Sequence, residues 1–303
     1  MAMPTEGPLA QDPHAIVEIM RAIWSDFFIS DKDALTVPLP FREDLFQEGR
    51  VFRIGYYTTD GFIDPLPGNQ RIVREAVELL KAKGHELVPF SLGDIPAEAS
   101  RGIFAIRTAD GGARAEATLK DEPLSPLIEP LRRNASMSVW TKKLFGWIYW
   151  FSGDKNMSDF YLYQSNRAID INAAINRFYA SRKRLVKKMR DENIEVILCP
   201  TTLSPAVPHS LPTALPSFAV MSAFLWNIMD FPAVVVTTGS WTRKDEEEMG
   251  SYEEKGLVDS EIKRGCRKSV GIPLSVQMVA PSFRDEMILR VMIDLYDEMK
   301  KRE

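Results

Sequence analysis

The sequence predicts an α/β fold, a sheet covered by helices on both faces, and three stretches predict it. Residues 269–281 hold an opening Gly/Pro turn, a strand of about six residues and a proline stop. That strand is apolar on both faces, which places it inside a sheet with cover above and below. Residues 51–57, 69–83 and 85–90 read as strand, helix and strand, the pattern of a right-handed crossover between parallel strands. Residues 194–199 form a further apolar run, stopped by Pro200.

At 303 residues and 45% hydrophobic content the chain can bury a sizeable core in one large or two ordinary domains. Lysine plus arginine number 38 against 42 acidic residues, and a net charge of −4 gives no field to gather nucleic acid or an anionic membrane over the whole surface. Any such role falls to local patches. Two cysteines, Cys199 and Cys266, and three histidines give neither a disulfide framework nor a metal-ligand spacing, so no metal and no cofactor is expected. Both thiols are expected to be reduced and partly buried. Residues 1–6 lack a basic n-region and an apolar h-region, and no stretch reaches the roughly 18 apolar residues of a spanning helix. The expected residence is the cytosol or a membrane surface.

In chain order, residues 12–26 carry Ile16, Ile19, Met20 and Ile23 at helical spacing. Residues 31–49, broken by Pro38 and Pro40, read as an extended connector lying on the body through Leu39 and Phe41. In the helix that follows, Ile72, Val73, Ala76, Val77 and Leu80 share a face, and Gly84 supplies a left-handed C-cap. The loop before it has no glycine-rich phosphate signature, and no nucleotide is assigned. Residues 96–121 read only as helix and turn.

Residues 139–151 place Trp140, Leu144, Trp147, Ile148 and Phe151 within about a 100° arc, with Lys142 and Tyr149 opposite and Lys143 and Trp150 at one margin. This is the composition of a helix lying in a lipid headgroup layer; the alternative is an aromatic helix buried against the body. Residues 165–192 form a long helix ending in Arg182, Lys183, Arg184, Lys187, Lys188 and Arg190. With no interleaved aromatics, that cluster reads as a solvated face favoured by the helix dipole and not as a nucleic-acid patch.

Residues 201–216 form a loop at the carboxyl end of a strand, where open α/β sheets build ligand sites. A short apolar helix spans 219–229, and 233–237 reads as a central strand. The charged stretch 241–268, with Asp245-Glu246-Glu247-Glu248, reads as a solvated excursion. Ser282 is placed to cap a last helix whose buried face holds Ile288, Leu289, Met292, Leu295, Tyr296 and Met299.

Four segments together resemble the amidase signature enzymes, in their fatty-acid amide hydrolase branch. They are Gly7-Pro8-Leu9-Ala10, the run 38–57, the run 197–201 and the tail. In the tail, Trp226-Asn227-Ile228-Met229-Asp230-Phe231-Pro232-Ala233 is similar to N-x-x-D-F-P-A, and residues 268–277 are similar to K-S-V-G-[LI]-P-x-x-V-Q. One departure is local: Val234-Val235-Val236-Thr237 stands where the branch has G-V-V-P. The other is an absence. The family's Ser-Ser-Lys triad and oxyanion loop precede the G-P-[ML]-A segment, which here is residues 7–10. No Gly/Ser-rich loop and no G-x-S-x-G follow, so no catalytic residue is assigned in this chain.

The resemblance implies a partial amidase-signature fold over 1–303, a mixed sheet covered on both faces with its catalytic N-terminal half missing. It implies that the intact enzyme hydrolyses the C–N bond of long-chain fatty acid amides. Phe224, Trp226, Asn227 and Met229 are expected to line the acyl channel, with core packing as the equal alternative. The branch carries a membrane cap at 139–151, so Trp140, Lys143, Leu144, Trp147, Ile148, Trp150 and Phe151 are expected to contact a membrane peripherally, on the cytoplasmic face of intracellular membranes. A chain with half a sheet is expected to form a homo-oligomer or to pair with a separate N-terminal amidase half. No nucleic-acid partner is expected. The alternative reading is a non-catalytic lipid-binding or regulatory protein derived from the same fold.

Overall fold

The computed structural model describes residues 7–25, 37–107, 109–119, 122, 129–208, 218 and 221–302. In the first part of the chain, α1 (Pro13–Ser25) and the single turn α2 (Glu43–Phe46) precede β1 (Arg53–Tyr56), α3 (Pro67–Lys83) and β2 (Glu86–Pro89). A helical stretch follows: α4 (Ile95–Arg107), α5 (Ala113–Thr118), α6 (Glu129–Ser136), α7 (Val139–Phe151), α8 (Lys155–Leu162) and α9 (Ala168–Asp191). Then come β3 (Val196–Pro200), α10 (Met221–Met229), β4 (Ala233–Ser240), α11 (Arg243–Glu248), α12 (Leu257–Gly265), β5 (Pro273–Val279) and α13 (Asp285–Lys300).

The five strands form one mixed sheet in the order β2-β1-β3-β5-β4. β1 runs parallel to β2 and β3, whereas β5 is antiparallel to both β3 and β4. The expected crossover is therefore present: α3 carries the chain from β1 to its parallel neighbour β2. Gly84, at φ 105°, ends α3 and sends its N–H to the carbonyls of Leu80 and Lys81. Only glycine takes that conformation without strain.

Side-chain alternation along the strands sorts the core into two layers. Val196, Leu198, Val276 and Met278 face the layer built by α3 and α13, while Ile197, Cys199 and Val279 face α4, α9 and α10. β3 is buried at every position and β5 at five of its seven, as the apolar runs predict. Between α13 and the start of β2, His85 accepts the Phe52 N–H at Nδ1, and its Nε2 lies 3.4 Å from Asp294. Burial pushes the Asp294 carboxyl up, but His85, Arg290 and Lys83 together hold it below the usual range.

Four expectations need correction. The strand at 233–237 is not central: β4 is, with β2, one of the two edge strands among the described residues, and Ala233, Val235 and Thr237 are exposed on one side. The stretch 241–268 is not a solvated excursion. Trp241, Met249, Val258, Ile262 and Cys266 all enter the core, and a Cβ on Gly68 would lie 2.6 Å from the Trp241 ring. Its Asp245 is fully buried and bound through both oxygens by Arg71, at 2.8 and 2.7 Å, while Thr242 caps α11. Alternation of charge with bulky apolar residues hid this packing, because the segment is too irregular to show a period. Third, Ser282 does not cap α13; its hydroxyl donates to the Asp230 carbonyl and accepts from Arg182. Fourth, Ile16 and Met20 of α1 pack against the core as expected and Val17 is buried beside them, but Ile19 points to solvent. The connector 31–49 lies partly outside the described residues; within them Phe41 packs against the core, as expected of a segment lying on the body, whereas the other expected anchor, Leu39, is exposed and the extended run is interrupted by α2.

Four of the six cations at the basic end of α9 are paired. Arg184 bonds Asp94 and Glu98, Lys187 pairs with Asp191, Lys188 with Glu192 and Arg182 with Asp230.

Candidate functional site

Two regions hold the residues singled out from the sequence: α10 beside the carboxyl end of β3, and the hairpin of α7 and α8. At the first, Gln277 of β5 donates to the carbonyls of Pro200 and Ser222, which ties the start of α10 to the strand end. The loop 201–216 is described as far as residue 208; the remainder lies outside the described residues.

The four residues expected to line an acyl channel do not gather on one face. Phe224 and Asn227 are three apart on α10, as are Trp226 and Met229, so each pair shares a face and the two pairs oppose one another. Trp226 and Met229 are buried in the core, Trp226 stacking on Phe231 at 5.9 Å. Phe224 and Asn227 are exposed. Asn227 borders a cavity of about 450 Å³ walled by Trp24, Leu39, Phe231 and Phe283, and also a smaller one of about 180 Å³ against Phe178 and Arg182. The helical period was present in the sequence and could have separated the pairs.

Sequence reasoning passed over the side chains behind α10. Tyr57, Gln277 and Trp226 surround the Cys199 thiol, and burial pushes that thiol up to about 12. Cys266 is likewise raised by burial, to about 11. Neither thiol is a nucleophile near neutral pH. Among the described residues, Tyr57 Oη and Trp226 Nε1 have no partner beyond the Cys199 thiol itself. Nearby, the Asp60 carboxyl accepts the Phe62 N–H at 2.9 Å, yet burial raises it to about 6. No group of three or more His, Cys, Asp or Glu that could hold a metal occurs among the described residues.

At the second region, α7 begins on Ser138, whose hydroxyl accepts the Thr141 N–H. The helix turns its polar side inward. Lys142 is buried, with Nζ donating to the Ala135 carbonyl, and desolvation lowers its ammonium from the ordinary value. Tyr149 stacks on Tyr161 of α8 at 5.8 Å with the rings nearly parallel. Gly146 lets the two helices meet: a Cβ there would lie 2.6 Å from the Leu162 side chain. The apolar arc consequently faces away from the body. Trp140 and Phe151 are each 80% exposed, and Leu144, Trp147, Ile148 and Trp150 are more than half exposed. Lys143 is exposed beside them. Among the described residues, no helix is long and apolar enough to cross a membrane.

A family model described as Amidase matches residues 1–289. The chain belongs to the amidase family. Among its relatives, fatty acid amide hydrolase 1 of Caenorhabditis elegans is 30% identical over 96% of this chain and 50% of its own length. Fatty-acid amide hydrolase 1 of Sus scrofa is 30% identical over 94% of this chain and 49% of its own. A solved fatty acid amide hydrolase structure superposes with a TM-score of 0.70 at 19% identity, covering 97% of this chain and 48% of that one. The amidase chain thus spans about half the length of the curated relatives it matches. Its five-stranded mixed sheet with helices on both faces is a partial amidase fold.

Proposed function

We propose that this chain is the C-terminal portion of a fatty-acid amide hydrolase-like amidase whose intact body hydrolyses the C–N bond of long-chain fatty acid amides. By itself the chain is inactive. The observation that carries the reading is 30% identity with fatty acid amide hydrolase 1 along 96% of this chain but only half of that relative. Acyl transfer through serine needs a hydroxyl held against a base and an oxyanion cradle. Here Ser100, Ser136, Ser152 and Ser260 instead donate to carbonyls within their own helices. The role assigned to this half is scaffold and channel wall, with Phe224 and Asn227 the residues of α10 able to reach a substrate.

The outward apolar arc of α7 supports peripheral attachment to the cytoplasmic face of an intracellular membrane. An exposed apolar patch of this kind marks a contact surface. The β4 edge, unpaired among the described residues, supports completion of the sheet by an N-terminal amidase half or by a second copy.

Fluorophosphonate labelling tests the central claim: the purified chain remains unlabelled, and stoichiometric labelling of a serine overturns its inactivity. Co-expression with an N-terminal amidase half is expected to yield fatty amide hydrolysis. A second reading, a non-catalytic lipid-binding protein, draws on the same α7 arc. It is favoured if the isolated chain retains a fatty amide without turnover.

A further inference from the structure

We propose that a cavity between α4 and the α7–α8 hairpin takes the phosphate of an anionic lipid headgroup. The proposal rests on the membrane reading of α7 and adds to it a specific polar site.

The cavity measures about 530 Å³, and its lining includes Arg101, Trp150, Lys155, Asp159 and Tyr163. Its inner wall is fixed. Arg101 Nε donates to Asp159 Oδ2 at 2.8 Å, and the guanidinium carbon lies 5.2 Å from the centre of the Tyr163 ring. Asp159 is buried and is the only carboxylate among the lining residues, so Arg101 neutralises it. Lys155 is the second cation. It is exposed at the first position of α8 and has no acidic partner among the described residues. The lining therefore carries one net positive charge, on a donor with three N–H groups, while the buried Asp154 carboxylate next to Lys155 is engaged by the Met157 and Leu257 N–H groups.

The mouth of the cavity has the right neighbours for a lipid. Trp150, more than half exposed, lines the cavity and also stands at the margin of the outward arc of α7. When that arc lies in the acyl boundary, Trp150 sits at headgroup level, where tryptophan rings partition, and the cavity opens at the same depth. A headgroup phosphate there meets the Lys155 ammonium in a charge-assisted hydrogen bond, while its glycerol and acyl chains run out past Trp150 onto the apolar arc. A zwitterionic headgroup brings its own cation and gains less.

The test uses the full chain with two probes. Flotation with phosphatidylcholine vesicles, with and without phosphatidylglycerol, reads membrane attachment and the anionic gain separately. Titration with monomeric dihexanoyl phosphatidylglycerol, followed by ³¹P NMR, reads the cavity without a bilayer. Lys155→Ala is expected to weaken the short-chain lipid by about tenfold and to remove the anionic gain. Binding to pure phosphatidylcholine falls by less than binding to the anionic vesicles, and Lys143→Ala, with one equal charge removed from the same helix hairpin, leaves the short-chain titration intact. Equal weakening by both variants overturns the site in favour of a diffuse field. Inorganic phosphate binding as tightly as the short-chain lipid overturns the lipid assignment. If phosphatidylcholine binding is absent while the short-chain lipid still titrates through Lys155, the α7 reading falls and the headgroup cavity stands.

Discussion

Asp154 Oδ2 accepts the backbone N–H of Leu257 at 2.7 Å, so a single carboxylate joins the turn between α7 and α8 to the first residue of α12. Its other oxygen caps α8 through the Met157 N–H at 3.0 Å. Residue 256 must be small for this contact, since a Cβ on Gly256 would lie 2.7 Å from the same carboxylate. Asp154→Ala is expected to destabilise the chain by about 1–3 kcal/mol in urea unfolding, and to speed exchange of the Leu257 amide. Asp154→Asn, which keeps one acceptor, recovers part of the loss. Unchanged exchange at Leu257 in the alanine variant would show that the contact holds nothing in place.

The outward arc of α7 gives a test in which stability and binding move independently. Trp147 and Phe151 are more than half exposed, so replacing both with serine removes little buried area and leaves the melting temperature within about 2 °C. Vesicle pelleting is expected to fall by at least about tenfold, the loss of two aromatic anchors. Unfolding of the double variant, with binding per folded molecule unchanged, would instead assign the arc to a protein partner or the core.

Asp60 should make stability fall with pH. Its carboxyl rises to about 6 in the folded chain, above the ordinary aspartate value, so the folded state binds the extra proton. The stabilising contribution is complete below the unfolded value of about 4 and is lost as pH rises through about 6. Asp60→Asn keeps an oxygen for the Phe62 N–H and carries no charge to bury. The variant is expected to gain about 1–2 kcal/mol near neutral pH, allowing for the part of Asp60 that water still reaches, and nothing near pH 4. Equal effects at both pH values would remove burial as the cause.

The β4 edge predicts association of the isolated chain. Val235 is 47% exposed beside exposed Ala233 and Thr237, on an edge strand among the described residues. Analytical ultracentrifugation is expected to show oligomers or aggregates, reduced by Val235→Lys, which places a charge on the uncovered face. A monomeric wild-type chain that melts cooperatively counts against an incomplete sheet.

Much of this architecture was legible because its signals are local. The crossover 51–90, the cap at Gly84, the limits of α7 and the buried runs of β3 and β5 each follow from a period, a turn residue or an apolar run within a few residues. The split of the α10 residues into two faces was equally local. What escaped depended on distant partners. Nothing around Trp241 or Asp245 announces that Gly68 and Arg71 leave room and charge for them, because those partners lie about 170 residues earlier in the chain. Ser282 looked like a cap until Arg182 and Asp230 claimed its hydroxyl.

By itself, then, the sequence determined an α/β chain of the amidase type and a helix at 139–151 with one apolar arc. It could not say which way that arc points, because amphipathicity defines two faces but not which of them the body occupies. The tertiary structure decided it: Gly146 admits Leu162, Lys142 finds the Ala135 carbonyl, and Tyr149 stacks on Tyr161, so the polar side is the one that packs. The same holds for β4, whose apolar sequence fits a central strand, while its place in the sheet leaves one face of it uncovered.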